Sequence, residues 1–322
     1  MSWFAFALLA LFCWSGSDLF SKIGCSDEKD KYSHLKMVVA VGAIMGLHAA
    51  YEIFIGGVEI TWNVILTYLP VSLLYIFSML LGYLGLRYIE LSISSPICNT
   101  SGALVALLWF FLDGSALSTL QIIAIVLICA GVIGLGFVEA FENPEIRKAR
   151  QEKANRKYAK SVLALLLPLL YCLLDALGTF ADSLVLDGET YDGFLGAALE
   201  KIGATGLALP EDAANVAYEL TFLAMGVVCL VILLFKKQKF TFKAEGPKYL
   251  GGLFETAGQF AYIMALGANP IAAAPMISAY CLLSMVWSRI FLKEKLSWKH
   301  YLMVGLAVAG IIILGVLDGL EA

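Results

Sequence analysis

Residues 83–121, YLGLRYIELSISSPICNTSGALVALLWFFLDGSALSTLQ, and residues 262–300, YIMALGANPIAAAPMISAYCLLSMVWSRIFLKEKLSWKH, superpose without a gap when the chain is shifted by 179 positions. Tyr83 falls on Tyr262, Pro96 on Pro275, Leu104 on Leu283, and Leu117-Ser118 on Leu296-Ser297. The register persists further on, where Ala130-Gly131 meet Ala309-Gly310 and Leu135-Gly136 meet Leu314-Gly315. Apolar composition alone would scatter Leu and Ala matches. Aligned Pro, Tyr and Gly in one register indicate an internal repeat.

The chain around this repeat is made for lipid. Of its 322 residues 60% are hydrophobic and only 15% charged, with a mean hydropathy of +0.83. A soluble domain of this length cannot hide so much apolar surface. Spanning a bilayer takes about 20 apolar residues in a helix. Ten stretches qualify, near 3–22, 37–56, 64–86, 91–112, 118–138, 161–183, 214–235, 249–267, 270–291 and 299–317. The opening MSWFAFALLALFCW has no basic leader and no cleavage site, so it reads as the first span.

The predicted fold is therefore an all-α membrane protein of ten transmembrane helices, arranged as two five-helix inverted repeats. Residues 1–140 form the first repeat, 141–160 a basic linker and 161–322 the second repeat. An odd number of spans per repeat turns the second copy upside down, which is the plan of secondary transporters with a site at the bilayer midplane. Charge placement fits the same count. All but one of the 22 Lys and Arg residues lie in the odd-numbered connections, the exception being Lys201. Basic connections stay cytoplasmic, so the odd connections are expected inside and both termini outside.

No catalytic constellation is legible, and neither a metal set nor a cofactor motif. The three histidines, His34, His48 and His300, are dispersed, and the seven cysteines form no CxxC pair. Phosphorylated anions are disfavoured as cargo, because no Lys or Arg sits deep within a span.

The pattern resembles the drug/metabolite transporter superfamily in its ten-helix form with two EamA-type repeats. Three features carry the likeness: the helix starts SSP (94–96) and AAAP (272–275), the hairpin closed by Leu-Ser, and the small-residue last helices LICAGVIGLG (127–136) and LAVAGIIILG (306–315). The likeness is good over 64–138 and 249–317 and vague over the first two spans of each half. In that family a Glu commonly ends the helix before each hairpin. FLKEKLS supplies it as Glu294, whereas FLDGSALS has Ser115 there. Members are usually drawn with both termini cytoplasmic, and the Lys/Arg distribution departs from that here.

Ionisable groups within spans are costly and mark function or pairing. Glu255, Gln259 and Tyr262 share one face of span 8 at i, i+4, i+7, a carboxylate, amide and phenol suited to a cationic or polar ligand. Asp175 sits mid-span 6, with Tyr171, Thr179 and Asp182 on its face; Asp182 itself reads as a wet interfacial residue. Trp14 and Asp18 share a face of span 1, where an i, i+4 ion pair of Asp18 with Lys22 is the plainer explanation. Asn99, Thr100 and Ser101 in span 4 stand where Pro96 frees a backbone group; in span 9 Ser278 replaces Asn99 and Tyr280 replaces Ser101. Tyr83, Glu52, Glu90 and Glu219 lie near span ends and read as interfacial. The connection 184–213 carries FLGAALEKIG, a candidate short surface helix.

These residues point to a secondary transporter of a small polar or amphipathic metabolite, such as an amino acid or related compound, working by alternating access in the bacterial-type inner membrane. Its site would be lined by spans 1, 3, 4, 6, 8 and 9. Glu255 or Asp175 could carry a coupling proton. The partners are the lipid bilayer and the small-molecule substrate, with no nucleic acid, and the chain is a monomer or homodimer. The alternatives are a multidrug exporter, which would want an aromatic cavity, and a non-transporting membrane protein.

Overall fold

The protein is seen in a computed structural model, which describes residues 2–26, 30–89, 91–113, 118–140, 162–292 and 297–321. The 293–296 hairpin with Glu294, its counterpart Ser115, Glu90 and the linker 141–160 fall outside the described residues. Among the described residues every regular element is helical. Seven segments are long and apolar enough to cross a membrane: Trp3–Cys25, Ser33–Gly56, Trp62–Gly85, Ser94–Leu112, Leu166–Asp187, Glu211–Phe235 and Ile271–Phe291. Two shorter apolar helices, Thr119–Leu135 and Trp298–Leu314, and the 27-residue helix Phe242–Ala268 fall at the remaining expected spans.

Helix α1 (Trp3–Cys25) starts where Ser2 accepts a hydrogen bond from the Ala5 amide. Helix α2 (Ser33–Tyr51) runs into a π-helical turn (Glu52–Gly56), which Gly57 closes at φ +77°, a conformation costly for any side chain. Thr61 caps α3 (Trp62–Gly85) by accepting from the Val64 amide. The fourth span is two helices, α4 (Leu91–Cys98) and α5 (Ser101–Asp113), followed by α6 (Thr119–Ala140). Then come α7 (Val162–Asp187), the short α8 (Gly193–Lys201) in the long connection, α9 (Glu211–Phe235) and α10 (Phe242–Ala268). The ninth span is again split, into α11 (Pro270–Ser278) and α12 (Tyr280–Phe291), before α13 (Trp298–Glu321). Asn269 caps α11 and Pro270 occupies its first position, so the chain re-enters helix at once.

Packing exchanges the two ends of the chain. Helix α1 packs along α10 and α3 along α7, while α2 pairs with α9 and α6 with α13. The glycines define those pairings residue by residue. A Cβ on Gly131 would meet the Met303 carbonyl and Ala307, and one on Gly310 would meet the Ala124 carbonyl and Ile128. Each of these contacts maps onto the other through the 179-residue shift. Similarly Gly16 lies against Phe254 and Gly178 against Tyr75, and Phe254 and Tyr75 are themselves related by that shift. In the region where the sequence likeness is vague, Gly42 touches Phe222, Leu223 and Gly226 while Gly226 touches Val38, Val39 and Gly42. A shift of 184 residues exchanges these two sets, so the same relation governs α2 and α9. Without a hydrophobic driving force in lipid, helices associate by such close packing, which small residues allow. Large side chains such as Leu47, Leu66, Phe111 and Ile312 remain exposed along the helices, as an acyl-chain environment requires.

Three buried groups correct the sequence reading. Asp182 and Glu219 are both 0% exposed, so neither is an interfacial residue. Each is reached by donors on a neighbouring helix, Tyr68 for Asp182 and His48 for Glu219, which makes burial tolerable. Tyr83 is likewise buried. The expected segment FLGAALEK does form a helix, α8, with Phe194 exposed.

Gly310→Ala places its methyl 2.5 Å from the Ala124 carbonyl, whereas a Cβ on Gly305 of the same helix meets nothing within 4 Å. Overpacking of this kind costs about 1–3 kcal/mol. Thermal unfolding of the purified protein should therefore show a lowered midpoint for Gly310→Ala and no loss for Gly305→Ala.

Candidate functional site

The site begins with two prolines. Neither Pro96 nor Pro275 can donate to the carbonyl four residues back, and each lies close before a break, α4 to α5 at 99–100 and α11 to α12 at 279. Neighbouring side chains serve the loosened backbone. Asn99 Nδ2 donates to the Ser95 carbonyl at 2.8 Å, Thr100 Oγ1 to Ile97 at 2.8 Å and Ser278 Oγ to Pro275 at 2.8 Å.

Around the two breaks lies a cavity lined from both halves of the chain. All nine residues expected from sequence line it: Glu255, Gln259, Tyr262, Asp175, Asn99, Trp14, Asp18, Tyr280 and Ser278. The walls come from α1, α3, α4, α5, α7, α10, α11 and α12, with Tyr218 of α9 as an addition the sequence reading lacked. Along α3 the lining runs from Tyr75 to Leu86, and along α4 from Leu91 to Cys98, so the space extends from the helix breaks toward the α3–α4 turn.

Three carboxyl groups face this space, and each is held by serine. Asp18 accepts from Ser95 at 2.5 Å and from Ser284 at 2.7 Å; Asp175 accepts from Ser101 at 2.7 Å; Glu255 accepts from Ser17 at 2.6 Å. Ser101 is the first residue of α5, so Asp175 lies at the positive end of a half-helix. Asp18 does not need Lys22. The Lys22 ammonium instead donates to the carbonyls of Leu86 and Ile89, both at 2.6 Å, where the end of α3 leaves acceptors unpaired. That replaces the expected i, i+4 pair by a tertiary cap.

Aromatic rings fill the gaps between the acids. Trp14 lies 4.9 Å from Tyr262 and 5.8 Å from Tyr280 between ring centroids. Among the described lining residues there is no Lys, Arg or His. The Ser21 hydroxyl, the Tyr83 hydroxyl and the Gln259 amide nitrogen are buried there without a hydrogen-bond partner. Among the described residues, no cluster of three or more His, Cys, Asp or Glu could hold a metal ion.

Beyond Tyr75, away from the α3–α4 turn, polar groups pack shut. Tyr68 donates to Asp182 at 2.6 Å, and the Tyr75 hydroxyl lies 3.2 Å from Asp182, 3.2 Å from Thr179 and 2.5 Å from Tyr262. At the opposite end a second network ties α2 to α10. Lys36 pairs with Asp30 at 2.8 Å and with Glu245 at 3.2 Å, and Lys248 pairs with Glu245 at 2.7 Å. Sequence reasoning singled out Ser101 but missed Ser17, Ser95 and Ser284, which lie on other helices than the acids they hold and so carry no signal in the spacing.

A bundle of apolar helices, broken at its centre around a cavity lined by acids, hydroxyls and aromatic rings, is the form of a multi-pass membrane protein with room for a small molecule. The model of the EamA-like transporter family matches residues 1–137 and 216–316, and the chain belongs to that family. One solved structure, described only as "Crystal structure of protein", is similar with a TM-score of 0.62 at 12% identity, over 99% of this chain and 99% of the other. At that identity the likeness is one of fold. No curated protein sequence matches the chain.

Asp182→Ala should leave the Tyr68 hydroxyl buried without its acceptor, a cost of about 1–3 kcal/mol, and take one of the three partners of the Tyr75 hydroxyl. Tyr68→Phe removes one donor and leaves Asp182 its contact with Tyr75. The unfolding midpoint should fall more for Asp182→Ala than for Tyr68→Phe; the reverse order would contradict the assignment of Asp182 as the hub.

Proposed function

We propose that the protein is a secondary transporter that carries a small polar or amphipathic metabolite, such as an amino acid or related compound, across a bacterial-type inner membrane by alternating access. The chain would cross the bilayer ten times, as two inverted five-helix repeats. The single observation that carries this reading is the cavity itself, which lies where the split helices of both chain halves meet and gathers polar residues from each. The contact sets exchanged by shifts of 179 and 184 residues support the repeat, and their order supports inversion. Gly131 pairs with residues equivalent to 124 and 128, not with its own equivalent, as antiparallel helices require. Seven aromatic residues in the lining leave room for a second reading as a multidrug exporter.

With the odd connections inside and both termini outside, the cavity extends toward the cytoplasm, and the Tyr68–Asp182–Tyr75–Tyr262 cluster closes the outer end. Movement of the cargo would need that cluster to part and the inner ends of α3 and α4 to close. Glu255 or Asp175 would carry a proton if transport is coupled.

Reconstituted in liposomes, the protein should move at least one solute from a broad metabolite panel; movement of none would contradict the reading. A Glu255→Gln variant that transports with unchanged pH dependence would exclude Glu255 as the proton carrier. In a variant retaining only Cys98, a membrane-impermeant thiol reagent should label from the cytoplasmic side, and labelling solely from outside would reverse the orientation. A C-terminal alkaline phosphatase fusion should be active.

A further inference from the structure

We infer that the cavity is a site for an organic ammonium cation, a primary amine or quaternary ammonium carried on an apolar body, and that it discriminates against the corresponding carboxylates. The inference rests on the transport reading and narrows its cargo.

Charge is the first argument. Asp18, Asp175 and Glu255 face one buried space that holds no Lys, Arg or His among its described lining. A carboxylate entering it would meet three acidic groups in a medium where Coulomb terms are only weakly screened, with no Lys, Arg or His in the described lining to compensate. An ammonium would favour the ionised form of those acids and be matched by it. Zwitterionic amino acids fall between these limits, since their amino group is matched and their carboxyl group is opposed.

Shape is the second. Trp14, Tyr262 and Tyr280 present ring faces and edges to one another at centroid separations of 4.9 and 5.8 Å, and all three line the cavity together with the acids. Asp18 follows Trp14 by one helical turn, and Glu255 precedes Tyr262 by two. Aromatic faces attract ammonium groups through the ring quadrupole, and desolvation strengthens that attraction. The same rings shelter an apolar body, so a cation with an aryl or alkyl tail satisfies both.

Unused polar groups are the third. Gln259 is 3% exposed and its amide nitrogen has no partner, while the Tyr83 and Ser21 hydroxyls are likewise unpartnered and line the same cavity. Buried polar atoms are normally satisfied, so these await a ligand or water. The serines that hold the three acids leave each carboxylate further acceptor positions, since an ionised carboxylate offers about four.

The test is equilibrium binding to the purified full chain by calorimetry, with three probes that share one phenyl body: 2-phenylethylamine, phenylalanine and 3-phenylpropionate. Tetraethylammonium and 1,5-diaminopentane extend the cationic arm. At least one cation should bind tenfold or more tightly than phenylalanine, with no binding by 3-phenylpropionate. Asp18→Asn and Glu255→Gln should each weaken the cation at least tenfold while the unfolding midpoint stays near that of the parent. Equal or tighter binding of the zwitterion or anion overturns the proposal, as does absence of binding by every cation, or unchanged affinity in both folded variants. If the variants fail to fold, the wild-type probe series still decides. Binding of a cation together with movement of no solute from the panel in liposomes would sink the transport reading and leave this one standing, and a transported anion would do the opposite.

Discussion

Two helix backbones cannot touch where either carries a side chain, and everything else in this fold is arranged around the places where they do. At Gly42 and Gly226, α2 and α9 cross with backbone against backbone. At Gly131 and Gly310, α6 and α13 do the same. Neither α2, α6 nor α13 contributes a residue to the cavity, and α9 contributes only Tyr218. The close crossings are thus a frame, and the helices that line the site are packed within it. In lipid this division is forced, because small-residue contact is what holds helices together once water is absent.

The frame leaves the polar chemistry to the remaining helices. Broken spans are tolerated at membrane depth only where the irregular backbone faces protein or a cavity. Here both breaks, at 99–100 and 279, do face the cavity, and Asn99, Thr100 and Ser278 return hydrogen bonds to the carbonyls just before them. The acids follow a cross-over rule. Asp18 on α1 meets Ser284 of α12, and Asp175 on α7 meets Ser101 of α5, so the first helix of each half reaches the second segment of the other half's broken span.

Much of this was legible in the sequence, for identifiable reasons. Pro96 and Pro275 at one spacing marked where backbone groups are freed, though each span read as one helix, and intramembrane acids are so costly that Asp175 and Glu255 could be expected to mark a site. What was not legible depends on distance between helices that sequence does not encode. Asp182 looked interfacial because it lies near a helix end, yet Tyr68 and Tyr75 from α3 enclose it. Lys22 looked like the partner of Asp18 because four residues separate them, yet the end of α3 offers it two carbonyls. The α2–α9 relation was hidden because only one Ala and one Gly are shared between Val38–Gly42 and Phe222–Gly226; the geometry kept what the remaining letters lost.

Rocking of one half against the other about the glycine crossings is the account's central claim, and paired spin-label distances test it most directly. One pair would sit at Tyr88 and Lys243, at the α3–α4-turn end of the cavity, and the other at Trp62 and Glu189, at the Tyr68–Asp182 end; all four are exposed. On adding a transported solute, the first distance should shorten while the second lengthens. Two distances that both stay fixed, or that change in the same direction, would contradict it.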